Sequence, residues 1–313
     1  WIAPEPYNSM YDPADVSKPV RMKSLEQEGE QHPLLKMLLA KIPSNIFFPD
    51  TYEGLAAETS EKDVLQARAT YYGLMTEIDH HLGRLISYLK KSGQYESTLI
   101  VFTSDHGEQL GDHYLFGKTG YFDESYAIPL IIRNPEITPP TSLNSNADDN
   151  QVEVFTEAID VMPTILDWLD LEIPEELDGS SLLPLMNGNV PDNWRKEAHW
   201  EYDFREIGSF QPMIEQQFGL SPDQCSLTVI RDERYKYVHM TALPPLLFDL
   251  QEDPEEFINR AEDPDYRHLV LEYSQKLLSW SMLHRDRTLV NINVKFGNLI
   301  HWKGPRVLEK FEA

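Results

Sequence analysis

The sequence predicts an α/β protein in which helices cover a sheet through residue 189, followed by a smaller antiparallel α+β subdomain over 190–313. Three observations predict it. A long helical pattern, Ala56 to Lys91, leads at once into the β-branched run TLIVFT (Thr98–Thr103). A second run of the same kind, IPLIIR (Ile128–Arg133), follows and stops at Asn134-Pro135. Beyond Asn187-Gly188-Asn189 the pattern changes to short strands around charged turns.

Each element has its own reason. Residues 1–54 are proline-rich and irregular, with one short amphipathic candidate at Pro33–Ala40. In the long helix, Tyr72, Met75, Asp79, Leu82, Leu85, Ile86 and Leu89 keep the three-and-four spacing of one face. Lys90 and Lys91 suit its negative end and Gly93 suits a stop. TLIVFT and IPLIIR are apolar on both faces, which predicts central strands of a helix-covered parallel sheet. TSLNSNADDN (141–150) reads as a surface loop. A helix is expected from Thr156 to Asp170, bent or split by Pro163. LTVIRDERYKYVHM reads as two strands around a turn, LLFDL as a third, and Tyr266–Leu283 as a last helix.

Composition narrows the function. The chain has 313 residues, 41% hydrophobic and 25% charged, enough for a core without staples. Its net charge is −25, which argues against a nucleic-acid partner, since a phosphate backbone needs a basic face. No run approaches the ~18 apolar residues of a membrane helix, so no membrane partner is expected. The single cysteine, Cys225, excludes an intrachain disulfide, and the reading leans to a soluble, cytoplasmic protein. The opening WIAPEPYNSMYDP lacks an initiator Met and a signal-peptide pattern, and reads as a segment from the middle of a longer chain.

The chemistry concentrates after the first strand, in SDHGEQLGDHYLFGKTG. Ligands of open α/β sheets bind beyond the carboxyl ends of the strands. Asp105 and His106 stand at such an end, and a carboxylate beside an imidazole is a reasonable pair of metal ligands. Gly107 is read as a sharp turn. Lys118, between Gly117 and Gly120, can meet an anion as a compact point charge. Taken alone, the pair fits equally well a turn cap beside a partly buried loop histidine. His80-His81 on the long helix read as one packed and one solvated residue, and HWEYDFRE (199–206) as packing at the domain junction.

The stretch TLIVFTSDHGEQLGDHYLFGK resembles the second signature region of the sulfatase family within the alkaline phosphatase superfamily. The helix and strand YYGLMTEIDHHLGRLISYLKKSGQYESTLIVFTSDHG, the strand in YFDESYAIPLIIRNP, and VFTEAIDVMPTILDWLDLEIPEELDGSSLLPLMNG are similar to the family's catalytic domain. RDERYKYVH and LLFDLQEDPEEFINRA resemble its C-terminal subdomain. The fold implied is part of an alkaline-phosphatase-like sheet over 1–189, with the small subdomain behind it.

The resemblance implies that Asp105 and His106 are two ligands of one divalent cation, Ca²⁺, Mn²⁺ or Mg²⁺. It implies that Lys118 touches the sulfuryl or phosphoryl oxygens of a small anionic ester, as catalytic and substrate-binding residue. His113, in the same loop, is a second substrate-binding candidate. Family members carry a Cys- or Ser-x-Pro-x-Arg motif whose first residue becomes a formylglycine nucleophile. The reading takes this chain to lack both motifs, sets Cys225 (in DQCSLTV) aside as inert, and expects the formylglycine in a missing upstream half. WIAPEPY resembles the family segment that follows a His-Pro-Pro run.

A sulfuric-ester hydrolase is the leading expectation, with a phosphonate monoester or phosphodiester hydrolase second and a non-catalytic protein of the same fold third. The isolated chain is expected to be inactive. The C-terminal HWKGPRVLEKFEA is a candidate contact to a neighbouring subunit in a homo-oligomer.

Overall fold

The computed structural model describes residues 2–48, 53–137, 151–205, 213–284, 292–295 and 298–301. The predicted loop 141–150 and the C-terminal tail from Trp302 lie outside the described residues. The helices are α1 (Leu25–Gly29), α2 (Pro33–Lys41), α3 (Glu61–Lys91), α4 (Asp123–Tyr126), α5 (Val161–Trp168), α6 (Leu183–Met186), α7 (Met213–Phe218) and α8 (Arg267–Leu283). The strands are β1 (Ile100–Thr103), β2 (Leu130–Arg133), β3 (Ala198–Asp203), β4 (Ser226–Arg231), β5 (Tyr235–Met240), β6 (Leu246–Asp249), β7 (Ile292–Lys295) and β8 (Asn298–His301). Mixed helices and sheets in this order are the predicted α/β class.

Helix α3 begins at Glu61, later than the predicted Ala56, because the Ser60 side chain accepts the Asp63 N–H and caps it there. Acidic Glu61 and Asp63 open the helix and Lys90 and Lys91 close it, as the dipole favours. Its first half is the buried half, through Val64, Ala67, Arg68, Ala69 and Gly73. A Cβ on Gly73 would lie 2.0 Å from the Tyr7 carbonyl oxygen, so glycine lets the N-terminal segment cross the helix. The predicted apolar stripe farther on is only partly covered: Met75 is 55% exposed and Leu85 52%, while Leu82, Ile86 and Leu89 are half-buried. His80 and His81 are both exposed; His80 meets the Tyr7 hydroxyl and His81 faces Glu77 and Arg84.

The strands β1 and β2 pair antiparallel, Ile100 opposite Arg133 and Thr103 opposite Leu130. A parallel sheet was expected. A parallel pair needs a crossover helix over the sheet. The chain between these strands instead folds back as a compact loop and the short α4. Their side chains are only partly covered, and Ile131 is 63% exposed. Pro163 does not split its helix, because it falls in the first turn of α5, where its missing N–H has no partner to lose.

The C-terminal sheet is an antiparallel run in the order β3-β4-β5-β6. Its strands alternate cleanly. Leu227, Val229, Val238, Met240, Leu246 and Phe248 face Leu34, Leu35 and Leu38 of α2 together with Tyr121 and Phe122. Ile230, Tyr237 and Leu247 face Tyr273 and Leu277 of α8. The main core therefore runs across residues 189 and 190. Cys225 is buried within it, and Trp200 and Tyr202 of HWEYDFRE pack against it. Of that segment, Glu206 lies outside the described residues. Among the described residues, no helix is long and apolar enough to cross a membrane.

Candidate functional site

The site grows from the end of β1. The Ser104 hydroxyl donates to the His106 carbonyl at 2.8 Å, turning the chain as the strand stops. The His106 ring lies 2.7 Å from the Gly107 carbonyl through Nδ1. A carbonyl can only accept, so Nδ1 carries a proton, and in the neutral ring Nε2 is the nitrogen left with a lone pair. That Nε2 lies 3.6 Å from Asp105 Oδ2, and the two side chains are 33% and 83% exposed. Two metal-type donors thus converge on one point at the surface.

Gly107 is there for space, not for a turn. A Cβ on it would lie 2.0 Å from the Glu124 carbonyl oxygen. The close approach lets the Gly107 N–H reach the Ser125 carbonyl at 2.8 Å. Beyond it, Glu108 Oε1 accepts the Leu110 N–H at 3.1 Å and the Gly117 N–H at 2.6 Å. The Gln109 N–H meets the Gly117 carbonyl at 3.0 Å. Gln109 Nε2 donates to Ser125 Oγ at 2.9 Å and to the Thr119 carbonyl at 3.4 Å. The loop returns on itself through left-handed residues, Leu110, Gly111, His113, Tyr114 and Gly117. Its return limb therefore lies beside the strand end and brings Lys118 back to the neighbourhood of Glu108 and Gln109. Lys118 is exposed and has no ion-pair partner among the described residues.

Burial raises the Glu108 carboxyl above the ordinary carboxylate range, against the pull of its two backbone donors and of His106. Burial also raises the Tyr71 phenol, and the Glu108 charge adds to the effect. Glu108, Gln109 and Ser125 are site-supporting residues that the sequence reading missed.

His113 is not at the surface. It is fully buried, its Nδ1 lies 2.9 Å from Glu28 Oε1, and its ring stacks on Phe122 at 3.6 Å. In this arrangement it packs the loop against α1, and its Nε2 has no hydrogen-bond partner among the described residues.

The residue types of the Asp105–His106 pair suit a divalent cation, and the Gly107 carbonyl supplies the bond that orients the imidazole. Two donors are fewer than the ~6 that a hard cation takes. Among the described residues, no group of three or more His, Cys, Asp or Glu side chains is arranged to hold a metal.

One sequence feature needs correction. A Ser-x-Pro-x-Arg pentapeptide is present after all, Ser17-Lys18-Pro19-Val20-Arg21. The Ser17 hydroxyl accepts from Arg68 Nη1 at 3.0 Å and pairs with the Tyr72 hydroxyl at 3.2 Å, both on α3. Arg68 in turn pairs with Asp112 at 2.5 Å. These contacts make Ser17 part of the support under the loop, and none of them is with Asp105 or His106.

The strand-end Asp-His pair, the returning loop that ends in lysine and the antiparallel C-terminal sheet are the features to set beside known proteins. Residues 26–171 match the sulfatase family model and residues 111–282 match the N-sulphoglucosamine sulphohydrolase C-terminal model. The chain is 50% identical over 292 residues to the multifunctional alkaline phosphatase superfamily protein PehA of Trinickia caryophylli, covering 93% of this chain and 55% of that protein. It belongs to the sulfatase family of the alkaline phosphatase superfamily.

Among solved structures, it superposes on the phosphonate monoester hydrolase of Agrobacterium radiobacter with a TM-score of 0.85 and 42% identity, covering 96% of this chain and 58% of that one. Arylsulfatase K of Xenopus laevis is 29% identical over 79% of this chain and 43% of its own length. The chain thus spans about half the length of the relatives it matches.

Proposed function

We propose that this chain carries the anion-handling part of a metal-dependent hydrolase of phosphonate monoesters, with sulfate esters as a second substrate class. The observation that carries the reading is the exposed convergence of Asp105 Oδ2 and His106 Nε2 at 3.6 Å. The order of substrates departs from the sulfate-first expectation. It rests on 50% identity to the multifunctional PehA and 42% to a phosphonate monoester hydrolase, against 29% to an arylsulfatase.

Asp105 and His106 would hold one divalent cation of the Ca²⁺, Mn²⁺ or Mg²⁺ kind, with further ligands from elsewhere in the protein. Bound there, such a cation supplies Lewis-acid stabilisation of charge on the oxygens of the transferred group. The Gly107 carbonyl keeps the His106 proton on Nδ1, so Nε2 stays a donor to the cation. The Lys118 ammonium meets a non-bridging oxygen of the substrate and stabilises the charge that grows there. It also gives an anionic ester a local cation in a chain of net charge −25. The attacking group is assigned to no residue of this chain. The family resemblance favours a formylglycine in the N-terminal half of the protein.

The test is hydrolysis of p-nitrophenyl phenylphosphonate and p-nitrophenyl sulfate by the full-length protein, with and without Lys118→Ala. Loss of about 100-fold in kcat/KM on the variant, with unfolding unchanged, is the expected result. A variant within a factor of ~2 of the parent on both substrates would remove Lys118 from the chemistry.

A further inference from the structure

We propose that Glu108 is the positioning residue for Lys118: its carboxylate closes the loop that leads from the Asp105–His106 pair back to the lysine. The proposal rests on the reading of Lys118 given above. It goes further by naming what sets the lysine's place.

Lys118 has an exposed side chain and no ion-pair partner among the described residues. Its location is therefore set by its backbone. The residue before it, Gly117, is gripped through both its N–H and its carbonyl by two consecutive residues of the loop after β1. Glu108 Oε1 takes the Gly117 N–H at 2.6 Å, and the Gln109 N–H meets the Gly117 carbonyl at 3.0 Å. On the far side of Lys118, Gln109 Nε2 reaches the Thr119 carbonyl at 3.4 Å. The same Glu108 oxygen takes the Leu110 N–H at 3.1 Å, so one carboxylate fastens both the outgoing and the returning limb.

Gly117 itself has little freedom. Its φ is +71°, and a Cβ there would lie 3.1 Å from the Phe47 ring. Without the carboxylate, the Leu110 and Gly117 N–H groups lose their acceptor, and of the bonds that hold the backbone on either side of Lys118 those from Gln109 remain beside the packing of Phe116. The metal pair precedes Glu108 in the chain; His106 is held through Ser104 and Gly107, and none of the Glu108 hydrogen bonds given above goes to Asp105 or His106. The proposal therefore separates the two halves of the site: Glu108 serves the lysine and leaves the metal pair alone.

The experiment compares Glu108→Ala, Glu108→Gln, Lys118→Ala and the double variant E108A/K118A in the full-length protein. Three readouts are taken: kcat/KM on p-nitrophenyl phenylphosphonate, bound metal by elemental analysis, and deuterium uptake of the peptide spanning 108–118. Glu108→Ala should lower kcat/KM by about 30- to 100-fold, the scale of a displaced catalytic group, with metal content unchanged. Glu108→Gln keeps an oxygen acceptor and should stay within ~3-fold of the parent. In the Lys118→Ala background, Glu108→Ala should cost almost nothing more, because both substitutions remove the same contact. The peptide should exchange slowly in the parent and in Glu108→Gln, and fast in Glu108→Ala.

Additive losses in the double variant, a Glu108→Gln variant as impaired as Glu108→Ala, or metal loss in Glu108→Ala would each overturn the proposal. If Lys118→Ala alone is silent, the assignment of Lys118 to the chemistry fails, and the exchange measurement still decides whether Glu108 closes the loop. If Glu108→Ala does not fold, Glu108→Asp takes its place in every comparison, since it keeps the charge and shortens the reach.

Discussion

Asp123 of α4 and Lys236 of β5 lie 3.0 Å apart although they stand 113 residues apart in sequence, and their pairing ties the site loop to the C-terminal sheet. Two residues beyond Asp123, the Ser125 carbonyl receives the Gly107 N–H. Arg231 of β4 adds a second cation to Asp123 at 2.8 Å. Glu256 pairs with Lys236 and accepts the Asp123 N–H at 3.0 Å. Lys236 is fully buried, so its charge has only these partners and the Trp200 ring, 5.2 Å away, to replace water. Lys236→Ala leaves Glu256 without its cation and Asp123 with Arg231 alone. It should cost about 3–5 kcal/mol in urea unfolding. A loss below ~1 kcal/mol would mean that water already compensates the charges.

The same cluster makes stability depend on pH. Burial lifts the Glu256 carboxyl to about 7, with Lys236 opposing the rise and the Asp123 charge adding to it. Burial works against ionising Asp123 too, but Lys236 and Arg231 together hold its carboxyl below the ordinary range. A raised acid holds a proton in the folded state that the unfolded chain has released. Its stabilising effect is complete below the unfolded value of 4.5 and is lost as pH rises through about 7. Asp123 has the opposite sign and loses its contribution only at lower pH, as the carboxyl protonates. Between pH 5 and pH 7.5, Glu256→Gln should therefore flatten the fall in stability by up to about 1.4 kcal/mol per pH unit. Urea unfolding at several pH values measures it. Parallel curves for parent and variant would show that Glu256 titrates normally.

Much of the fold was legible and some was not, for physical reasons that differ by residue. Lys90 and Lys91 announce the end of α3 because end charges act within one turn, whereas the sequence reading passes over the Ser60 cap and starts the helix at Ala56. The existence of β1 and β2 was legible from their β-branched runs, but their relative direction was not. Apolar runs are alike in parallel and antiparallel sheets, and the folding of the connection decides between them. Asp105 and His106 were legible because a strand end locates them. Glu108 was not, because its partners are backbone N–H groups that carry no sequence signal. His113 reads as a substrate-binding candidate from its place in the loop, and its burial carries no local signal. Its burial depends on Glu28 and Phe122, the first of them 85 residues away. Lys236 was invisible in the same way, as one cation in RDERYKYVH.

Gly107→Ala tests whether close approach, and not flexibility, selects that glycine. The added Cβ would lie 2.0 Å from the Glu124 carbonyl oxygen, which belongs to backbone and cannot swing aside. The chain beside His106 must move, at a cost of at least ~2 kcal/mol in stability. At Gly93, where φ is +74° and no atom lies within 4 Å of the built Cβ, alanine should cost only ~1 kcal/mol. Equal costs at the two sites would contradict the packing account.

The outer half of α3 predicts how this chain behaves by itself. Met75, Ile78, Leu85 and Tyr88 are exposed on that helix, and Ile131 is exposed on β2. Apolar patches of this kind drive association. The 313-residue chain alone should self-associate and bind a hydrophobic dye, and Met75→Ser with Leu85→Ser should reduce both. A monodisperse chain with no dye binding in light scattering and fluorescence would show that these side chains are covered in solution.

The most direct measurement is of metal at the Asp105–His106 pair. Full-length protein, exchanged into metal-free buffer and titrated with Mn²⁺, should take up one ion per chain. Asp105→Asn and His106→Ala should each weaken that uptake by about 100-fold while unfolding in urea stays close to the parent's. Unaltered Mn²⁺ affinity in both variants would contradict the account, because the two converging donors would then be ordinary surface residues.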